Sequence, residues 1–154
     1  IKVMAREYIH FQHMFLLGKG TDEYIAKEGS LKIKEITYIH AEAYSSSALK
    51  HGPFALLDEH LPTILFDCSE EHHVKNQNCF EEIYSRNSPI ILITNITNTT
   101  VYENRSKIIK LPNHSIYSSL FSIIPIQLLG YYISIYKNIN PDIPKNLAKV
   151  VTVE

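Results

Sequence analysis

The apolar residues of this chain fall into short unbroken runs, separated by stretches in which they recur every three or four positions. Unbroken runs read as strands buried on both faces, and the longer period reads as helix packed along one stripe. Residues 13–17 (HMFLL) form the first run, stopped by Gly18 and Gly20. Residues 62–67 (PTILFD), 89–94 (PIILIT) and 107–111 form three more. Asp22 is placed to cap a long helix over residues 23–40, with Ile25, Leu31, Ile33, Ile36 and Ile39 as its apolar positions. Ser69 caps a second helix that runs to residue 85, and a buried helix begins at Ser118 or Ser119. Residues 3–11 read as the end of a helix. Residues 41–53 read as a polar loop with one short helical turn, and residues 96–105 as an Asn/Thr-rich loop. From residue 140, Pro141 and Pro144 break the chain away into a tail.

Short apolar strands alternating with helices imply an α/β fold: a three-layer α-β-α sandwich around a mainly parallel sheet. With 154 residues, the chain fits one domain, here residues 1–139, followed by a C-terminal tail over residues 140–154. Ligands of such sheets bind outside the carboxyl ends of the strands, where Gly18, Lys19 and Gly20 meet the long helix. The most apolar stretch, residues 120–136, is shorter than the ~20 residues of a membrane span. It is also interrupted by Pro125, Gln127 and Gly130, so a buried helix is expected and no membrane partner.

Composition narrows the picture by exclusion. The formal net charge is −1 and the lysines are scattered among acids, so no nucleic-acid partner is expected. Two cysteines, Cys68 and Cys79, do not make a disulfide scaffold and point to a reducing, cytoplasmic setting. The spacing of Cys68, His72, His73 and Cys79 matches no zinc pattern, so no metal is expected. Gly18-Lys19-Gly20 lacks the third glycine and downstream acid of a dinucleotide fingerprint. The start of the chain lacks a signal-peptide pattern and an initiator Met, which reads either as a piece of a longer protein or as N-terminal processing.

Three groups have the chemistry to act. Lys32 and Glu35 share a helix face, with Glu28 one turn before Lys32. They form either a solvated charge ladder or a general base, Glu35, with a cation that positions it. His51, in the run LKHGP, sits where Gly52 and Pro53 turn the backbone sharply. It is either a plain loop histidine or a proton shuttle working near neutral pH. Lys149, in the tail, is either solvated or a nucleophilic amine, with Lys145 four residues earlier to supply positive charge or bind phosphate. Ser45, Ser46 and Ser47 either bind phosphate or only make a turn.

The runs EGSLKIKEI, YIHAEAY, LKHGP, NLAK and VTVE resemble the carboxyl-terminal half of the isomerase region of the glucosamine-6-phosphate synthase family, also called glutamine–fructose-6-phosphate aminotransferases (isomerising). The resemblance implies the second of two sugar isomerase domains, preceded in the whole enzyme by a glutaminase domain. It implies conversion of fructose 6-phosphate and glutamine to glucosamine 6-phosphate and glutamate, by a homodimer without metal or organic cofactor. Glu35 would move a proton between C1 and C2, and Lys149 would form a Schiff base with the open ketose. His51 would open the sugar ring in the neighbouring subunit's site. Lys32, Lys145 and Ala148 would line the substrate. Lys145 stands where the family usually has Arg, Lys19 likewise, Ser47 replaces a Gly and Ala48 a Glu. A related phosphosugar isomerase or deglycase, or a regulatory sugar-phosphate-binding domain without turnover, are the competing readings.

Overall fold

The computed structural model describes residues 1–114 and 117–147. Five strands, β1 (His13–Gly18), β2 (His40–Ser45), β3 (Thr63–Asp67), β4 (Ile90–Thr94) and β5 (Lys107–Lys110), form one sheet in the order β2-β1-β3-β4-β5. Every pairing is parallel. In the central register Phe15 lies opposite Glu42 on one side and Thr63 on the other.

Neighbouring strand residues point to opposite faces, which explains the unbroken apolar runs. Met14, Leu16, Ile64, Phe66, Ile91 and Ile93 enter one core layer, whereas Phe15, Leu17, Leu65, Ile90 and Leu92 enter the other. The first layer is closed by α1 (Lys2–Ala5), α2 (Thr21–Thr37) and α5 (Ile123–Tyr136), through Ala26, Ile33, Ile126, Leu129 and Ile133. α3 (His73–Tyr84) closes the second layer through Cys79, Phe80 and Ile83. A three-layer sandwich results, as the strand and helix pattern implies. α5 follows the short α4 (Ser118–Phe121), and together they are long and apolar enough to cross a membrane by length and composition. Their buried side, however, is spent on α2 and the sheet.

Several boundaries differ from expectation. β2 falls on residues expected in a loop, except His40, expected at the end of the long helix. It is an edge strand, whose backbone pairs with β1 while most of its side chains stay partly exposed, so it needs no apolar run. α2 ends at Thr37, not residue 40. The Thr37 hydroxyl donates to Ile33 O (2.6 Å) and accepts from Ile39 N (3.2 Å), and Tyr38 turns out of the helix in the left-handed region at φ 60°. Gly20, not Asp22, is the N-cap. Asp22 is buried in the first turn and accepts from Cys68 N at 2.9 Å, tying β1-α2 to the end of β3. Gly18 is required by close approach, since a Cβ there would lie 2.4 Å from Asp22 O. Leu31, expected in the apolar stripe, is 43% exposed on the outer face of α2.

Candidate functional site

α2 begins at the carboxyl end of β1 and runs back along the sheet. Its last turns therefore lie at the amino end of the strands, away from the Gly18–Gly20 turn. There Lys32 Nζ contacts Glu35 Oε2 at 2.9 Å and Glu28 Oε1 at 3.8 Å. The hydrogen bond to Glu35 raises the Lys32 pKa above the ordinary lysine value, with the charges of Glu35 and Glu28 adding to it. Lys32 is thus a fixed cation rather than a nucleophile. Glu35, 27% exposed, keeps Oε1 without a hydrogen bond among the described residues. A carboxylate oriented through one oxygen and open at the other is what a general base needs.

The chain after α5 returns to this point. Lys145 N donates to the Tyr38 hydroxyl at 2.8 Å, and Lys145 Nζ lies 4.4 Å from the centroid of the same ring. Between tail and helix lies a cavity of about 580 Å³, lined by Glu35, Ile36, Pro141, Asp142, Ile143, Pro144 and Leu147. The structure thus brings Glu35, Lys32 and Lys145 into one neighbourhood. Ala148 and Lys149 lie outside the described residues. Tyr38 was missed by sequence reasoning. A left-handed backbone at a bulky aromatic is rare, and nothing in TYIH signals it.

His51 is not part of this neighbourhood. It ends a 3-10 turn, Leu49–His51, beyond the carboxyl end of β2, and its ring is exposed. Leu49, fully buried, pegs the turn to the second core layer. Lys50 pairs with Glu82 at 2.7 Å, and Gly52 at φ 133° makes the following bend. At 1.5 Å per residue, Glu35 lies ~20 Å along α2 from the end of the sheet where His51 stands. The two cannot reach one small sugar within a single chain.

The serines make a turn. Ser46 N donates to Gly18 O (2.8 Å), Ser46 Oγ to Asn76 Oδ1 (2.8 Å), and Ser47 Oγ accepts from Lys19 Nζ at 2.6 Å. Lys19 and Ser47, two departures from the family pattern, therefore touch each other. Cys68 and Cys79 lie in opposite core layers. Burial pushes the Cys68 thiol up, and the Cys79 thiol up to about 12, so neither is a nucleophile.

The SIS domain profile matches residues 7–135. A protein of Acanthamoeba polyphaga mimivirus, named as a probable glutamine–fructose-6-phosphate aminotransferase (isomerizing), is 49% identical over 142 residues, 91% of this chain and 23% of its own. The enzyme of that name from Rhizobium leguminosarum bv. viciae is 38% identical over 100% of this chain and 26% of its own. Among solved structures, the C-terminal domain of glucosamine-fructose-6-phosphate aminotransferase from Francisella tularensis superposes with a TM-score of 0.82 at 34% identity, over 90% of this chain and 40% of that one. The chain spans about a quarter of the length of the curated relatives it matches. From the profile match over most of its length and the shared parallel-sheet architecture, the chain belongs to the SIS domain family.

Proposed function

We propose that this chain is the C-terminal isomerase domain of an enzyme that converts fructose 6-phosphate and glutamine to glucosamine 6-phosphate and glutamate. The observation that carries the reading is the shared cavity. A carboxylate held by a lysine and open at one oxygen faces the tail that leads to Lys149. The Lys149 amine condenses with the C2 carbonyl of the open ketose, releasing water and forming an imine. Ammonia released from glutamine adds to this imine and expels the Lys149 amine, leaving an unsubstituted C2 imine. That imine acidifies the C1 proton, and Glu35 takes the proton and delivers it to C2, giving the 2-amino aldose. Lys32 holds Glu35 in place through its 2.9 Å contact with Oε2. Lys145 and Ala148 line the substrate.

His51 handles the ring oxygen in the site of a second copy of the chain. Its placement at the far end of the sheet from Glu35 supports a dimer with shared sites. The preceding sugar isomerase domain covers the outer face of the α2/α5 layer. There Ile124, Leu128, Tyr131 and Ile135 of α5 and Tyr24 and Leu31 of α2 are all at least 41% exposed. The relatives' greater length leaves room for that domain and for an ammonia-releasing glutaminase. Two buried, unpaired thiols fit a reducing cytoplasm.

The test is Glu35→Gln in the full-length enzyme, which keeps shape and removes the base. Lost isomerisation with sugar phosphate still bound is expected. Unchanged isomerisation overturns the assignment.

A further inference from the structure

The segment that carries His51 is tied to the scaffold through a buried polar chain that the sheet does not need. Asp67, the last residue of β3 and 1% exposed, accepts from His73 Nδ1 at 2.7 Å through Oδ2 and from Asn76 Nδ2 at 3.0 Å through Oδ1. That donation fixes the Asn76 amide, itself fully buried, with Oδ1 turned toward Ser46 Oγ at 2.8 Å. Ser46 is also held by its backbone N–H on Gly18 O, so both its side chain and main chain are anchored. From Ser46 the path to His51 is short and stiff. Ala48 N donates to Ser45 O (2.8 Å), His51 N donates to Ala48 O (2.9 Å), and Leu49 is buried between them.

Such a chain is a poor device for stability alone. A carboxylate taken out of water costs several kcal/mol before its partners repay it, and apolar residues of the same volume pack as well. A fully satisfied buried network instead specifies one arrangement of the groups attached to it. Here those groups are the end of β3, the start of α3 and the loop that leads to His51. The exposed His51 ring has no partner of its own among the described residues, so its place is set entirely by this anchored turn.

We infer that Asp67, Asn76 and Ser46 are positioning residues for His51, with His73 holding the second oxygen of Asp67. The inference rests on the reading of His51 as the ring-opening group. It assigns a role to a cluster that lies apart from the Glu35 cavity.

The test is a double-mutant cycle in the full-length enzyme: Ser46→Ala and His51→Ala, singly and together. Ser46→Ala removes one hydroxyl and is expected to lower kcat about three- to tenfold, with KM for the sugar phosphate nearly unchanged. In the His51→Ala background the same substitution should change kcat by less than about twofold, because the group it positions is gone. An equal loss in both backgrounds overturns the positioning role while leaving His51 catalytic. A His51→Ala enzyme with full activity overturns the His51 reading and this inference with it. Amide exchange gives a second readout that needs no turnover, and it survives a poorly active variant. In Asn76→Leu, exchange over residues 46–53 should rise while exchange in α2 stays as in the parent. A uniform rise across the domain is global loosening and overturns the inference.

Discussion

The two regions proposed to act on the sugar are built in opposite ways. Around Glu35, the acting group sits on a rigid helix and the covering part is an irregular tail, pinned by one hydroxyl and one aromatic ring of Tyr38. Around His51, the acting group sits on an irregular turn and the rigid part lies beneath it, a buried chain from Asp67 to Ser46. The first arrangement keeps the base still and lets its cover be replaced. The second needs an internal brace because a loop does not hold an imidazole by itself. The two also face opposite ends of the sheet, which is the ground for the proposal that each site is shared between two copies of the chain.

The sharpest way to break that comparison is by subunit mixing. Glu35→Gln and His51→Ala should each lower turnover of the full-length enzyme by about 10²–10⁴-fold. Co-refolding the two inactive variants should restore about a quarter of parental activity, because half of a random dimer population carries one intact shared site of two. No restoration would put both residues in the same subunit's site, against the geometry. A second large effect is expected on assembly. Leu128→Asp, on the outer face of α5, should leave this domain folded by circular dichroism yet separate it from the preceding domain in limited proteolysis.

Smaller changes sharpen the contrast between cover and brace. Tyr38→Phe removes the acceptor for Lys145 N and should cost about 1 kcal/mol of tail docking, seen as faster proteolysis after residue 140 with an unchanged melting temperature. The least effect concerns pH. The Tyr44 hydroxyl, then the His40 ring, hold the Glu42 carboxyl below its ordinary value of 4.5. A depressed folded pKa contributes stability that is present above 4.5 and lost as pH falls through the depressed value. Tyr44→Phe should therefore flatten the acid limb of stability against pH by a few tenths of a kcal/mol, since Glu42 is partly exposed. An acid limb of unchanged slope would remove Glu42 from the account.

How much was legible depended on whether a residue's neighbours are also its neighbours in sequence. The runs HMFLL, PTILFD and PIILIT announce strands buried on both faces, and all three are central in the sheet. β2 was not legible, because its side chains make no apolar run and its backbone bonds to β1 leave no mark on them, whereas β5, the other edge, keeps the apolar pair Ile108 and Ile109. The Lys32–Glu35 contact follows from helical spacing alone. Tyr38 with Lys145, 107 positions apart, and Asp67 with Asn76 and Ser46 do not, since each pairing crosses between elements.

From sequence alone, hydrophobic periodicity determines the α/β class, because the burial of strands and helices is written into the order of apolar residues. The residue types and runs also determine the candidate base, imidazole and amine, and the family they resemble. Only the tertiary structure decides that Glu35 faces the returning tail and that His51 stands at the opposite end of the sheet. Parallel strands demand that each crossover helix run backward along the sheet, so residues only sixteen positions apart in the chain end up at its two ends.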